Sequence, residues 1–259
     1  RSQTYSAKIN YREAVDSLHV RNRLVGEEGT IDPKVRSVEF ITEQGQKIML
    51  ATYAAHSTIL GAGNMILSRD YPGVLVDHLE NKGYAFALYM AGAVGSMAPN
   101  VQGDNDLEKM QKQVTGIDSM MFQKDVTVRP QAKNWLDVRT LEWPLREPTP
   151  RLTLDLGLRT WVFKQVFGDY TPQIKVLKLG NILLVGMPAD FSGELIPEVD
   201  AYAKTKGLDL IVTSFNGGYI GYVTDDKHYE RDLYETVIMS WYGPYDGAYS
   251  REIIKDIID

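Results

Sequence analysis

Four apolar, strand-like runs constrain the fold of this chain more than any other feature. They cover residues 48–53, 86–90, 182–187 and 208–213, and each is followed by small residues and then by polar ones. Short apolar runs bounded by turn residues predict buried strands. In sheets covered by helices, binding sites gather where the carboxyl ends of strands open into loops. Four such ends therefore predict one shared cleft.

The segments around these runs add hairpins and amphipathic helices. Residues 35–42 and 47–53 flank a polar turn, and residues 173–187 contain two apolar runs around a Gly-Asn turn, so both segments predict β-hairpins. Apolar residues recur at helical spacing over residues 104–124 and again at the C-terminus. The predicted fold class is α/β, a mixed layered domain in which stacked β-sheets are flanked by helices.

Two regions give weaker patterns. Residues 1–34 are polar and show little periodicity. They include Arg23, which is most simply a surface charge, although a guanidinium also suits carboxylate or phosphate recognition. Residues 125–173 are rich in Pro and Trp and contain strand-like segments. We interpret this second region as a lid or a rim without catalytic chemistry.

The composition excludes several classes of protein. A formal net charge of -6 argues against a nucleic-acid partner, because phosphate binding normally requires a basic face. The sequence has no run of 18 apolar residues, so we expect no transmembrane segment. It has no cysteine, which excludes disulfides and thiolate chemistry. No linker divides residues 1–259, so we expect a single domain. Because the chain begins with Arg1 and no signal-like stretch follows, we expect a processed or truncated piece.

Two residues at strand ends are the first candidates for a site. His56 lies in a Gly-containing loop after the first run, where a side chain can reach solvent. A lone histidine is more often a core residue bonded to a backbone carbonyl than a ligand, so the other motifs must decide between these readings. Asp190 lies at a strand-to-helix junction, where helix capping is the alternative to a functional role.

Small residues and tyrosines form the remaining candidate motifs. Ser96 belongs to a loop of small residues, 91–100, in which backbone N–H groups can approach a ligand closely, although such loops can also simply pack tightly. Tyr222 and Tyr234 belong to a tyrosine-rich stretch that extends to residue 242. Tyrosines at this density normally serve packing, with their hydroxyls bonded to neighbours.

Taken in order, these motifs resemble the neutral/alkaline non-lysosomal ceramidase family. The resemblance runs from about Asn22 to the C-terminus, and the order and spacing of its short motifs carry it. The motifs are His56-Ser-Thr followed by Asn64, Ser68, Asp70 and Gly73; Gly95-Ser-Met-Ala-Pro-Asn100; Leu-Gly-Asn-Ile-Leu-Leu-Val-Gly-Met-Pro-Ala-Asp over 179–190; and Tyr219-Ile-Gly-Tyr-Val-Thr224 with Tyr229, Tyr234-Glu235 and Tyr242-Gly-Pro244.

The resemblance implies a zinc-dependent amide hydrolase that cleaves an N-acyl substrate, a small molecule or a lipid, with a zinc-bound water. The family holds its zinc with two histidines, a glutamate and a tyrosine. His56 matches the second histidine, Asp190 falls where the family has glutamate, and Tyr222 matches the tyrosine. Arg23 and Tyr234 match residues that contact the substrate head group. Zinc suits nitrogen and oxygen ligands and lowers the pKa of a bound water to about 7.

Three departures from the family pattern limit what the resemblance implies. The first zinc histidine of the family lies in a His-x-His segment that precedes anything in this sequence. We therefore expect this chain to be the later part of the catalytic domain, without the family's C-terminal sandwich domain. A preceding segment or a separate chain would then complete the metal site, and without it part of the core should be open. Ala98 stands where the family usually has serine, unless Ser96 substitutes for it, and Asp190 is one methylene shorter than glutamate.

These departures leave three hypotheses for function. The chain is a ceramidase-like zinc amidohydrolase, a non-catalytic ligand-binding homologue on the same fold, or a related hydrolase for a substrate other than ceramide. The resemblance also implies export, to the periplasm, the outer surface or the medium. Asn64, Ser68 and Asp70 are expected to orient the His56 loop rather than to bind metal.

Overall fold

The computed structural model describes residues 6–132, 135–169 and 171–259, which form two main β-sheets with helices on their outer faces. The strands are β1 (Ala7–Val15), β2 (Val20–Asn22), β3 (Lys34–Thr42), β4 (Lys47–Tyr53), β5 (Phe86–Ala91), β6 (Met97–Pro99), β7 (Thr127–Pro130), β8 (Leu136–Glu142), β9 (Gln173–Leu179), β10 (Ile182–Gly186), β11 (Asp190–Phe191), β12 (Asp209–Thr213) and β13 (Tyr222–Val223). The α-helices are α1 (Asp70–Asn81), α2 (Asp106–Met121), α3 (Thr160–Phe167), α4 (Ile196–Thr205) and α5 (Asp246–Ile258). A π-helical turn covers Tyr234–Ile238, and short 3₁₀ turns cover Gly26–Glu28, Gly193–Leu195 and Asp226–His228.

The first sheet has the strand order β5-β4-β3-β1-β7. The hairpin predicted at 35–53 is its centre, with Val38 opposite Leu50 in the antiparallel β3–β4 pair. Strand β5 joins the edge in parallel to β4. Because side chains alternate along a strand, Met49 and Ala51 face helices α1 and α2, while neighbouring positions face the second sheet.

The second sheet has the strand order β12-β10-β9-β8. The predicted Gly-Asn hairpin forms its β9–β10 pair, and β12 adds in parallel to β10. Leu183 and Val185 pack against α4 and α5, whereas Ile182 packs against Tyr11 of the first sheet. The layers are therefore helices, sheet, sheet and helices, which confirms the predicted mixed fold of stacked sheets.

The structure corrects the predictions for the two regions with weak sequence patterns, residues 1–34 and 125–173. Residues 7–15 form the nine-residue strand β1, which pairs with both β3 and β7. Ile9 and Tyr11 face the second sheet and alternate with polar residues such as Asn10 and Arg12, a pattern typical of a half-buried strand even though the segment as a whole is polar. Residues 136–142 form β8, an integral edge of the second sheet through seven register pairs with β9, and not a lid.

Two large apolar side chains of the edge strand β5 are exposed. Phe86 is 51% exposed and Leu88 is 42% exposed. Both residues lie directly opposite apolar positions of β4, Ile48 and Leu50. The two side chains therefore form an uncovered apolar strip at this edge of the sheet.

Within the described residues, none of the helices combines the length and the apolar character that crossing a lipid bilayer requires.

Candidate active site

The carboxyl ends of the four apolar strands meet, as the sequence predicts. The Gly92 N–H donates to the Tyr53 carbonyl over 3.1 Å, which joins the ends of β5 and β4. The Met187 N–H donates to the Thr213 carbonyl over 2.8 Å, which joins the ends of β10 and β12. The Ser214 N–H reaches the carbonyl of Ala91 over 3.0 Å and so connects the two sheets. His56, Ser96 and Asp190 lie on the loops and short strands that continue from this junction, and Tyr222 pairs with Asp190 there.

A two-residue parallel pairing sets Asp190 beside Tyr222. Strands β11 and β13 pair with Asp190 directly opposite Tyr222, and both residues are buried. Gly95 packs against the same segment, because its N–H donates to the Phe191 carbonyl over 2.8 Å. A Cβ atom on Gly95 would lie 2.4 Å from the Asp190 carbonyl oxygen, so no larger residue fits. The loop of small residues therefore serves close packing, and this packing brings Ser96 to the site.

The His56 loop is held by helix α1. His56 follows β4, and the Tyr71 hydroxyl donates to the carbonyl of the preceding residue, Ala55. The Asp70 carboxylate accepts the Leu60 N–H over 2.8 Å, as its expected orienting role requires. The imidazole is therefore presented at the cleft with 20% of its side chain exposed, and not buried against a backbone carbonyl.

Asp190 connects His56 to Tyr219. Its Oδ1 atom lies 3.1 Å from His56 Nε2, and its Oδ2 atom accepts the Tyr219 hydroxyl over 2.5 Å. The helix that follows begins differently, since the Ser192 hydroxyl accepts the Glu194 N–H there. The carboxylate of Asp190 is thus directed into the site, which argues against the capping alternative.

Arg23 lies on the other side of Tyr222. It follows β2, whose pairing with β6 brings its N–H to the Ser96 carbonyl at 2.8 Å. Its Nη2 donates to the Tyr222 hydroxyl over 2.9 Å, and its Nε donates to Glu235 Oε1 over 2.7 Å. Burial opposes the Arg23 cation, but Glu235 and Tyr222 together outweigh burial, so the pKa of Arg23 is raised. Arg23 is therefore ion-paired within the site and is not a free surface charge.

Tyr234 and Glu235 share one π-helical turn but face opposite environments. Tyr234 is 59% exposed and meets the Tyr222 ring edge to face, with ring centroids 6.1 Å apart. Glu235 is buried and accepts the Ser96 hydroxyl on Oε2 over 2.9 Å. Single π-helical turns are frequent at functional sites. Here the turn presents one residue to the cleft and the next to the interior.

Ser96 does not face the cleft. Its side chain is completely buried, and its hydroxyl donates to Glu235. This geometry suits a residue that positions its neighbours, and it gives no support to the idea that Ser96 replaces the serine missing at Ala98. Ala98 itself is buried in β6.

Backbone strain concentrates around the same residues. Four non-glycine residues of the described chain have positive φ: Asp70, Ser96, Phe215 and Tyr245. The first three belong to loops that build the site. For a residue as large as phenylalanine this conformation is costly, and strain of this kind persists where the surrounding structure enforces it. The Phe215 ring lies 6.1 Å from the His56 ring and 6.3 Å from that of Tyr219, so it closes one wall of the cleft.

The phenols of Tyr222, which is buried, and Tyr219, which is half-buried, remain protonated at neutral pH. Burial, followed by the nearby Asp190, raises the pKa of Tyr222, and Arg23 offsets this only in part. Burial and the hydrogen bond to Asp190 likewise raise the pKa of Tyr219. Both hydroxyls can therefore donate hydrogen bonds.

The donor set agrees in kind with a zinc site but is not complete. His56, Asp190 and Tyr222 offer an imidazole nitrogen, a carboxylate and a phenol oxygen, which are ligand types that zinc accepts. No group of three or more His, Cys, Asp or Glu side chains that could hold a metal occurs among residues 6–132, 135–169 and 171–259. In addition, both Asp190 oxygens and the Tyr222 hydroxyl have hydrogen-bond partners. The three residues therefore supply atom types that zinc binds, and the described structure engages these atoms in hydrogen bonds with one another and with Tyr219 and Arg23.

All six candidate residues thus occupy one connected cluster, and three more residues belong to it. The additional residues are Tyr219, Phe215 and Glu235, which our sequence analysis did not select as site residues. Tyr219 and Glu235 lie inside motifs that the analysis quoted, which is the one signal that could have found them. Phe215 precedes Asn216 in a strand-end loop and carries no motif.

Comparisons with known proteins agree with this fold. The structure of neutral ceramidase from Pseudomonas aeruginosa matches with a TM-score of 0.76 and 20% sequence identity, over 98% of this chain and 52% of that chain. A structure of a ceramidase complexed with C2 matches with a TM-score of 0.75 and 17% identity, over 98% of this chain and 53% of that one. This chain therefore has the fold of about half of a ceramidase chain. No protein-family model matches the sequence, and neither does any curated protein.

Proposed function

We propose that this chain carries most of the active site of a zinc-dependent amidohydrolase of ceramidase type, which hydrolyses the amide bond of an N-acyl substrate. One observation supports this above all others. Six residues selected by motif matching, and spread from position 23 to position 234, meet in one connected cluster on a ceramidase-like fold. A chance resemblance of short motifs would leave such residues scattered.

In this proposal, His56, Asp190 and Tyr222 hold the zinc. The zinc supplies a Lewis acid and a water that ionises near neutral pH. Tyr219 fixes the orientation of the Asp190 carboxylate by donating a hydrogen bond to its Oδ2 atom. Arg23 and Tyr234 bind the polar part of the substrate beside the amide, while Phe215 limits access of water to His56.

The proposal includes a second piece of polypeptide, either a preceding segment or a separate chain. It would provide the remaining histidine ligand and cover the apolar strip at Phe86 and Leu88. The chain spans about half the length of the ceramidases that share its fold, which is what supports this part of the proposal. The lipid nature of the substrate and export from the cell are proposed on the resemblance alone, and cell fractionation tests the latter.

Metal content and turnover test the function directly. Zinc is measured by elemental analysis in the chain alone and with the second piece supplied, together with hydrolysis of a panel of N-acyl compounds. We expect near-stoichiometric zinc only in the completed protein, and His56→Ala should abolish both zinc binding and turnover. The matched control is His78→Ala, because His78 lies on α1 beside Asp118 and away from the site. Full activity of His56→Ala would refute the proposal.

A second function is favoured by the region around Ala98. The serine expected there is absent, and the nearby Ser96 hydroxyl is engaged by Glu235. A non-catalytic homologue would bind N-acyl compounds without releasing product, even in the completed protein. A related hydrolase for esters or sugar-linked amides would instead release product from other members of the same panel.

A further inference from the structure

Glu235 closes a ring of interactions around Arg23. The Glu235 carboxylate bonds Arg23 Nε through one oxygen and the Ser96 hydroxyl through the other, at 2.7 and 2.9 Å. The Arg23 N–H completes the ring by donating to the Ser96 carbonyl. Glu235 is only 5% exposed, so its charge depends on these partners and not on water.

This ring uses the edge of Arg23 that normally recognises anions. Arginine binds a carboxylate or phosphate most strongly when two parallel N–H groups face two oxygens. In Arg23 the Nε and Nη2 groups donate to Glu235 and Tyr222. An anionic substrate would have to displace a buried carboxylate to gain the same contact.

The surrounding charges act in the same direction. The cluster contains two carboxylates, Glu235 and Asp190, and both are buried. A carboxylate or phosphate entering beside Arg23 would meet a cation that is already neutralised and the negative Glu235 in direct contact with it. An uncharged hydroxyl or amide carries no such repulsion and can still bond a guanidinium or phenol hydrogen.

We propose that Glu235 determines the charge selectivity of the head-group subsite. By pairing with Arg23, it makes the site accept N-acyl compounds whose polar part is uncharged and reject those with an anionic group next to the amide. This inference rests on the proposed function only in placing the polar part of the substrate beside Arg23.

The test compares two ligands that differ at one group, N-octanoylethanolamine and N-octanoylglycine. Binding of each to EDTA-treated protein is measured by titration calorimetry, so that the glycine carboxylate cannot bind a metal. The wild-type chain should prefer the ethanolamide by about tenfold or more, and Glu235→Gln should reduce that preference by at least about tenfold. Glu235→Asp keeps the charge and should keep the preference, even if both affinities fall.

Several results would overturn the inference. A wild-type chain that binds both compounds equally excludes it, and so does a Glu235→Gln variant that weakens both by the same factor, because that is the signature of a purely structural residue. Ser96→Ala removes the other partner of Glu235 but leaves the ion pair, so its ligand preference should remain that of the wild type.

If Glu235→Gln does not fold by circular dichroism, the double variant Arg23→Gln/Glu235→Gln replaces it. This variant removes both charges, so the wild-type preference should persist, and a gain in binding of the glycine compound would contradict the inference. Because this assay needs neither metal nor turnover, an inactive or zinc-free protein would refute the proposed function without deciding the charge selectivity.

Discussion

Two buried carboxylates, one in the candidate site and one at the start of α5, have similar exposure but opposite electrostatic surroundings. Glu235 is 5% exposed and contacts the Arg23 guanidinium. Asp246 is 7% exposed and lies near a second carboxylate, Asp226, which accepts the Gly247 and Ala248 N–H groups at the start of the helix. Burial, followed by repulsion from Asp226, raises the pKa of Asp246 to about 7. The comparison teaches that the free-energy cost of a buried carboxylate depends on the neighbouring charge as well as on burial.

Removal of Glu235 should have the largest effect on stability. Glu235→Ala leaves Arg23 partly buried without its partner, and breaking a buried pair typically costs about 3–5 kcal/mol. The free energy of unfolding, measured in urea, should fall by this amount. The control is Glu28→Ala, because Glu28 forms an exposed pair with Arg231 and its loss should cost at most about 0.5 kcal/mol. If the two variants lose the same free energy of unfolding, the buried pair of Glu235 stabilises the fold no more than an exposed pair does.

Replacement of Asp246 should act in the opposite direction. In the folded chain Asp246 keeps its proton up to a pH of about 7, whereas in the unfolded chain it loses it near its ordinary pKa of about 4. Between these values the folded state binds more protons, so the free energy of unfolding of the wild type should decrease as pH rises from about 4 to about 7.

Asp246→Asn cannot ionise and should lack the contribution of Asp246 to this decrease. At pH 8 it should be more stable than the wild type by roughly 2 kcal/mol, because each pKa unit corresponds to about 1.4 kcal/mol and burial of the amide offsets part of the gain. Urea unfolding at pH 4.5 and pH 8 measures both effects. A gain of the same size at both pH values would show that ionisation of Asp246 is not the cause.

The smallest effect is expected at Tyr219, where a buried carboxylate has a neutral partner. Tyr219→Phe removes the hydroxyl that donates to Asp190, and the expected loss is about 1.5 kcal/mol in the free energy of unfolding. Tyr245→Phe is the control, since Tyr245 is 70% exposed and should change stability little. If Tyr219→Phe lowers the free energy of unfolding as much as Glu235→Ala does, the ion pair of Glu235 stabilises the site no more than the neutral hydrogen bond to Asp190 does.

The sequence predicted the parts of the structure that depend on local pattern. The run at 48–53 is a buried strand, and the Gly-Asn turn joins β9 to β10, because alternation and turn chemistry act over a few residues. Strand β1 was missed because residues 1–34 are polar on average, although Ile9 and Tyr11 alternate with polar residues in the way that is typical of a half-buried strand.

The same division applies to the candidate site. His56, Asp190 and Tyr222 could be selected from motifs, because each belongs to a short segment with a recognisable order. The role of Glu235 could not, because it depends on a side-chain contact with a residue 212 positions earlier. Exposure of Tyr234 and burial of Glu235 likewise depend on a π-helical turn, and the sequence carries no simple signal for that turn.

The ring formed by Arg23, Ser96 and Glu235 has a consequence for the order in which the molecule folds. Contacts between residues separated by long stretches of chain form slowly, because the entropy of closing a long loop must be lost before the contact stabilises anything. Hairpins such as β3–β4 can form early from neighbouring residues. The ion pair between Arg23 and Glu235 can form only after all the residues between them have left the ribosome. A nascent chain would therefore acquire its two sheets before it completes the candidate site.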